Sequence, residues 1–146
     1  MIGFILADGC LMLIRTKAKR KYKNKIYHYF LYTPRVNVSQ RVDGIEILKD
    51  FQKRFGGYVM ENKSLKISRP VNYWVVSNIK MCREIARMVC KCKLPSPKKK
   101  VAKLLYEYCS WKLPMGSRRM TEHERNKAKD FWEKIHDANT FKEVTN

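Results

Sequence analysis

Read for alternation, the chain opens with a run of apolar residues, "MIGFIL", closed by "ADG" and followed at once by more apolar residues. Residues 2–8 are long enough for a short helix, and Gly9 is expected to end it in a left-handed conformation, which costs glycine little. The next stretch, "LMLIRTKAKR", passes from apolar to alternating, as a strand does when it leaves a core. After a turn around "KYKNK", the run "IYHYFLYTPRVNVSQ" is rich in aromatic and β-branched residues, which favour strands. In its second half Pro34, Val36 and Val38 alternate with Thr33, Arg35, Asn37 and Ser39, predicting one packed and one polar face.

From residue 43 the period changes from two to that of a helix. Ile47, Leu48, Phe51 and Phe55 lie at helical spacing after Asp43, a plausible cap, and Gly56-Gly57 ends the run. "YVME", "LKISR" and "NYWVVS" read as short strands broken at Asn62-Lys63 and Pro70. Residues 78–92 read as a helix with Ile79, Cys82, Ile85, Ala86 and Val89 inward, broken by "LPSP". Ser96 is then expected as N-cap with Pro97 at the first helical position, ahead of a stripe of Val101, Leu104, Leu105, Tyr108 and Trp111. "LPMGSRRM" reads as a loop, and Thr121 to Glu124 has capping-box spacing before Ala128, Phe131, Trp132 and Ile135. The last seven or so residues carry little pattern and are expected to fray. The chain is expected to form a single α+β domain over residues 1–146, with no internal repeat.

Charge sharpens this picture. Lys and Arg number 32 against 13 Asp and Glu, a formal charge of +19, while 45% hydrophobic and 12% aromatic content suffices for a core. A folded chain with that excess repels itself, so a polyanionic partner is expected, nucleic acid being the commonest and anionic membrane the weaker alternative. No stretch approaches the ~20 apolar residues that span a bilayer, and the start lacks a signal peptide's basic segment and cleavage site. The expected location is inside a cell, in a bacterial cytoplasm or an organelle. Five cysteines, Cys10, Cys82, Cys90, Cys92 and Cys109, are odd in number with apolar neighbours, which suits buried free thiols. Cys90 and Cys92 have no second pair and no nearby His, so zinc is not expected.

An acid at the junction of two apolar runs asks for a partner, a proton or a metal. With that acid, "IGFILADGCL" resembles the motif of the LAGLIDADG homing endonucleases in its single-motif form: Gly3, the Ala7-Asp8-Gly9 end and the apolar filling agree, while Leu6 stands where an earlier acid often occurs. The element order, "NVSQR" and "PKKKVAKLL" extend the resemblance over roughly residues 1–111. It implies an αββαββα saddle as core (1–111), with residues 112–146 as a C-terminal helical extension.

The resemblance also implies a chemistry. Two motif helices, one per protomer, would pack along a two-fold axis at Gly3 and Phe4 and bring two Asp8 carboxylates to the scissile phosphates of double-stranded DNA. Repulsion between them calls for a cation, and Mg2+ or another divalent ion that prefers oxygen fits, with Asp8 and the Ala7 carbonyl as ligands. The implied reaction is hydrolysis of both strands of a long, nearly palindromic site by an intron-encoded homodimer with no small-molecule cofactor. Gln40 matches a polar residue that orients water, although a solvated strand-end amide reads equally. Lys98 matches a basic residue near the scissile phosphate, with Lys99 and Lys100 as competitors. A further basic group falls on Gly44, so either Arg41 substitutes or the role is absent.

Arg15, Lys17, Lys19 and Arg20, in a run of basic residues without an acid, are expected to read DNA with Thr33, Arg35 and Asn37 on the next strand and Lys66, Arg69 and Tyr73 beyond it. Strand parity leaves a conflict. Counting from the motif turns Met12, Ile14 and Thr16 toward DNA, whereas charge alternation favours Arg15, Lys17 and Lys19, and a bulge near Ile14 would reconcile the two. The basic set is the expectation here. The competing functions are a non-catalytic nucleic-acid binder on the same scaffold, such as an intron maturase or a transcription regulator, and a ribosome-associated basic protein.

Overall fold

The computed structural model describes residues 1–61 and 71–140. A short helix α1 (Ile2–Asp8) leads into two long strands, β1 (Gly9–Tyr22) and β2 (Lys25–Arg41), followed by a 3-10 turn (Val42–Gly44) and α2 (Ile45–Phe55). Two shorter strands, β3 (Tyr58–Glu61) and β4 (Val71–Val76), precede α3 (Ile79–Lys91), α4 (Lys98–Lys112), a second 3-10 turn and α5 (Glu122–Asn139). The strands form one antiparallel sheet in the order β1-β2-β4-β3. This is the expected α+β architecture; the "LKISR" strand and the frayed end lie outside the described residues.

The β1-β2 hairpin turns through Lys23 (φ 46°) and Asn24 (φ 63°), with Tyr22 opposite Lys25. Two residues with positive φ are the signature of the turn whose twist matches antiparallel strands. Pairing is unbroken from Gly9↔Val38 to Tyr22↔Lys25, so there is no bulge near Ile14. Leu11 and Leu13 are buried opposite Val36 and Pro34. By strict alternation Arg15, Lys17 and Lys19 continue that helix-side face, while Met12, Ile14, Thr16 and Arg20 share the open face.

The core lies between sheet and helices. Phe51 and Phe55 pack on Trp74 with ring centroids 5.0 and 6.0 Å away, and the Trp74 indole donates to the Gly56 carbonyl at 2.8 Å. Cys82, Ile85, Ala86 and Val89 fill the α3 side, and Val101, Leu105 and Tyr108 the α4 side. Leu104 and Trp111 from the expected stripe are half-buried. α5 is capped as expected: the Thr121 hydroxyl accepts from the Glu124 amide, and Glu124 accepts from the Thr121 amide. The α5 end is tied to β1 by Asn139, whose amide donates to the Leu11 carbonyl at 2.9 Å.

Three local expectations change. Asp43 lies within the 3-10 turn, and α2 begins beyond it with no side-chain cap. Ser96 sits one residue earlier than a helix cap, its hydroxyl accepting from the Lys98 amide at 3.2 Å while Pro97 occupies the cap position. Cys82 and Cys109 are buried thiols with pKa pushed up to about 12 by burial, but Cys90 is exposed and Cys10 and Cys92 are half-buried.

Candidate active site and nucleic-acid interface

Helix α1 delivers its C-terminus to the sheet through Gly9. The backbone there is extended (φ −83°, ψ 157°) rather than left-handed, so the glycine is not required for its dihedral angles. Close approach requires it: a Cβ at Gly9 would lie 2.5 Å from the Ile5 carbonyl oxygen and 2.7 Å from the Ile5 Cα. The chain can turn from helix into strand within one residue only because no side chain stands in the way.

That turn leaves Asp8 exposed at the helix end, and Gln40, at the far end of β2, donates from Nε2 to Asp8 Oδ2 at 2.8 Å. Gln40 is thus engaged with the motif acid through a bond that itself remains exposed. Gly44 makes room for it, since a Cβ at Gly44 would stand 2.9 Å from Gln40 Cβ and 3.1 Å from its Oε1. A basic side chain at position 44 would displace Gln40. Alternation along β2 also puts Arg41 on the opposite face from Gln40, away from that role.

Lys98 comes from the first turn of α4 and closes the other side. Its Nζ donates to the carbonyls of Ile5 (3.2 Å), Ala7 (3.2 Å) and Gly9 (2.6 Å), the last carbonyls of α1 and the first of β1. A helix C-terminus carries partial negative charge, and a cation there offsets it. Burial pushes the Lys98 amine below the ordinary lysine range, with Cys10 and Asp8 pulling it back up. Burial likewise raises the Cys10 thiol, against the pull of Lys98. Of the competitors, Lys99 donates to the Cys92 carbonyl, and Lys100 borders a hollow with Leu104 and Lys134 on the side of α4 that meets α5. Among the three, Lys98 makes the bonds to the motif helix. Cys10, two residues after the acid, is thus a neighbour of Lys98 that the sequence pattern does not single out.

The exposed side of α1 carries Gly3, Phe4 and Ala7. A Cβ at Gly3 would meet nothing within 4 Å, and Phe4 is 39% exposed while its ring edge touches Phe51 at 6.4 Å between centroids. Gly3 and Ala7 stand one turn apart on that exposed side.

The open face of the sheet carries Thr33, Arg35 and Asn37 on β2, Arg20 on β1 and half-buried Tyr73 on β4. Arg35 Nε is buried without a hydrogen-bond partner among the described residues. Arg15, Lys17 and Lys19 are corrected to the opposite, helix-side face by the unbroken register. Arg15 is committed there, its guanidinium 4.0 Å from the Trp132 ring centroid and 4.6 Å from that of Phe30. Met12, Ile14 and Thr16 take the places on the open face that the basic set had been expected to hold. Lys66 and Arg69 lie outside the described residues.

Comparison with known proteins identifies the family and the fold. The family model described as "LAGLIDADG endonuclease" matches residues 1–109. No curated protein matches the sequence. Among solved structures, the homing endonuclease I-CvuI, in complex with the I-CreI target in the presence of Mg with the DNA not cleaved, is similar with a TM-score of 0.68 and 20% identity over 99% of this chain and 82% of that one. The meganuclease I-SmaMI bound to uncleavable DNA gives a TM-score of 0.69 at 13% identity over 90% of this chain and 42% of its own. I-SmaMI bound to uncleaved DNA with calcium ions gives 0.65 at 19% identity, over 97% and 45%.

Proposed function

Because this chain belongs to the LAGLIDADG endonuclease family, we propose that it is a homing endonuclease that hydrolyses both strands of a long pseudo-palindromic DNA site as a homodimer with a divalent cation. One domain over residues 1–146 carries the activity, with 1–111 as core and 112–146 as helical extension, and it works inside a cell. The observation that carries the reading is the convergence of Gln40 and Lys98 on the end of α1 that bears Asp8. An ordinary helix stop needs neither.

The donor set fits a hard cation. Asp8 is exposed, one of its oxygens accepts from Gln40, and the adjacent Ala7 carbonyl, which accepts from Lys98 Nζ at 3.2 Å, has a second lone pair to offer. Both ligands are oxygens, which Mg2+ prefers, and Mg2+ keeps several waters. No group of three His, Cys, Asp or Glu that could hold a metal occurs among the described residues. On this reading one protomer supplies Asp8 and the Ala7 carbonyl, and a second Asp8 across a two-fold axis would complete the site. When bound, the cation supplies Lewis-acid stabilisation of charge on the scissile phosphate.

The chain's own residues do the rest. Gln40 holds one Asp8 oxygen, fixing the carboxylate so that the other faces outward, and its own Oε1 remains an acceptor for the attacking water. Lys98 neutralises the negative end of α1, which would otherwise repel the phosphate, and stabilises the added charge of the transition state. Gly3, Phe4 and Ala7 form the contact between protomers. Arg20, Thr33, Arg35, Asn37 and Tyr73 read the groove, with Lys66 and Arg69 extending the surface, and Arg15, Lys17 and Lys19 contribute through the field of the hairpin. The decisive experiment is a nicking assay with and without Mg2+ on duplex selected from a randomised library. Asp8→Asn is expected to abolish cutting and leave binding intact. A native chain that binds the duplex without cutting it would make this a non-catalytic binder.

A further inference from the structure

Strand β2 pairs with β4 only from Val36 onward, so residues 25–35 border β1 on one side and, among the described residues, have no strand on the other. Facing that free edge are the α4-α5 connection and the first turns of α5. Between them lie two adjoining hollows of about 440 and 430 Å3 that share Tyr27, Tyr29, Phe30, Tyr32, Arg119 and Arg125. Each is in the size range of small-molecule sites.

The lining has a consistent chemistry. Tyr27 and Phe30 are 45% and 38% exposed, and among the described residues neither hollow is bordered by an acid. Arg118 is paired with Glu124, but the side chains of Arg20, Arg119 and Arg125 make no ion pair or hydrogen bond among the described residues. Aromatic rings flanked by uncommitted guanidinium groups suit a ligand with flat π-faces and negative charge. In a duplex the base faces already cover one another, so a ring can enter such a hollow only from an unpaired strand. A membrane surface calls for an exposed convex patch, not a recess.

We infer that the cleft between the free edge of β2 and the α4-α5 connection binds unpaired nucleotides, with bases against Tyr27, Tyr29 and Phe30 and phosphates on Arg119 and Arg125. This is a second nucleic-acid site at the edge of the open face, to which Arg20, Tyr27 and Tyr29 also belong by alternation. Arg20 stands where the two adjoin. Unpaired RNA and unpaired DNA share the required chemistry, and only the 2′-hydroxyl separates them.

The test uses the full chain and two fluorescent 12-mers, oligouridylate and oligodeoxythymidylate, read by anisotropy with and without saturating duplex. Binding should persist in the presence of duplex, and preference for one 12-mer identifies which source the site takes. Tyr29→Ala should weaken it about tenfold, the effect of losing one stacking platform, while Tyr29→Phe retains it. Arg119→Ala should also weaken it and flatten its salt dependence. Duplex cleavage should be unchanged in Arg119→Ala, which lies off the sheet. Displacement of the 12-mers by duplex, or equal affinity in Tyr29→Ala and Arg119→Ala, overturns the inference. A chain that binds the 12-mers but never cuts duplex leaves it standing and removes the endonuclease reading instead.

Discussion

Replacing Gly9 by alanine perturbs the one joint on which the motif acid hangs. The added Cβ would sit 2.5 Å from the Ile5 carbonyl oxygen, against backbone that has no rotamer to escape into. An ordinary carbon–oxygen contact is ~3.3 Å, so the helix end must give by roughly 0.8 Å. Asp8 is the adjacent residue and moves with it. Its bond from Gln40 is 2.8 Å long, and a displacement of that size along it lengthens it to about 3.6 Å, beyond hydrogen-bonding range. Overpacking of this kind costs about 1–3 kcal/mol of stability, and a misplacement near 1 Å at a reacting group costs about 100-fold in rate. Single-turnover cleavage of a selected duplex should therefore fall about 100-fold, while binding measured in Ca2+ stays within a few-fold. A Gly9→Ala protein that cuts at the native rate would refute the claim that this contact positions Asp8.

Other expectations follow from neighbouring geometry. Lys98→Met leaves the Ala7 and Gly9 carbonyls without their cationic donor, a loss of about 1–2 kcal/mol that thermal melting should register as several degrees. Because burial holds the Lys98 amine below the ordinary lysine range, cleavage that depends on its charge should decline at a lower alkaline pH than a free lysine dictates. Gly44→Ala should displace Gln40 and reduce cleavage more than binding, and the Gln40→Ala, Gly44→Ala pair should be no worse than Gln40→Ala alone. The Glu124 carboxyl is held down to about 2 by the Arg118 guanidinium and the Thr121 amide, against an ordinary 4.5. Its contribution is whole above pH 4.5 and is lost as pH falls toward 2. The urea midpoints of native and Glu124→Gln proteins should differ at neutral pH and converge over that interval.

Much of this site is legible in the sequence because its parts are local. The apolar helix ending at Asp8, the capping box at Thr121 and Glu124, and the alternation from Pro34 to Val38 depend on neighbours a few residues away, and each takes the expected form. The Lys98 bonds depend on chain 89 to 93 residues distant, and no local pattern separates Lys98 from Lys99. Gly9 illustrates a subtler limit: sequence says that glycine belongs after the acid, but only the packed helix shows that clearance from Ile5, not a left-handed turn, is the reason.

Strand parity is where charge misled. Within the core, burial makes one face apolar, so alternation of residue type reports orientation. Past Leu13 the hairpin projects beyond most of the core and both faces meet water, so basic residues can occupy either without penalty. There only the count from Leu11 and Leu13 carries information, and it puts Arg15 toward the helices. What meets it is Trp132, from a helix that begins about a hundred residues later. The open face of β1 is consequently Met12, Ile14, Thr16 and Ala18, opposite Arg35, Thr33, Leu31 and Tyr29. Apolar side chains in a major groove favour thymine methyl groups, and an uncommitted guanidinium favours guanine. Selection from a randomised duplex library should therefore enrich thymine under β1 and guanine at the position Arg35 reaches. Replacing those thymines by uracil should weaken binding several-fold, whereas Arg15→Ala should leave base preference unchanged. A preference that shifts in Arg15→Ala and not in Arg35→Ala would return the basic set to the groove and break the register argument.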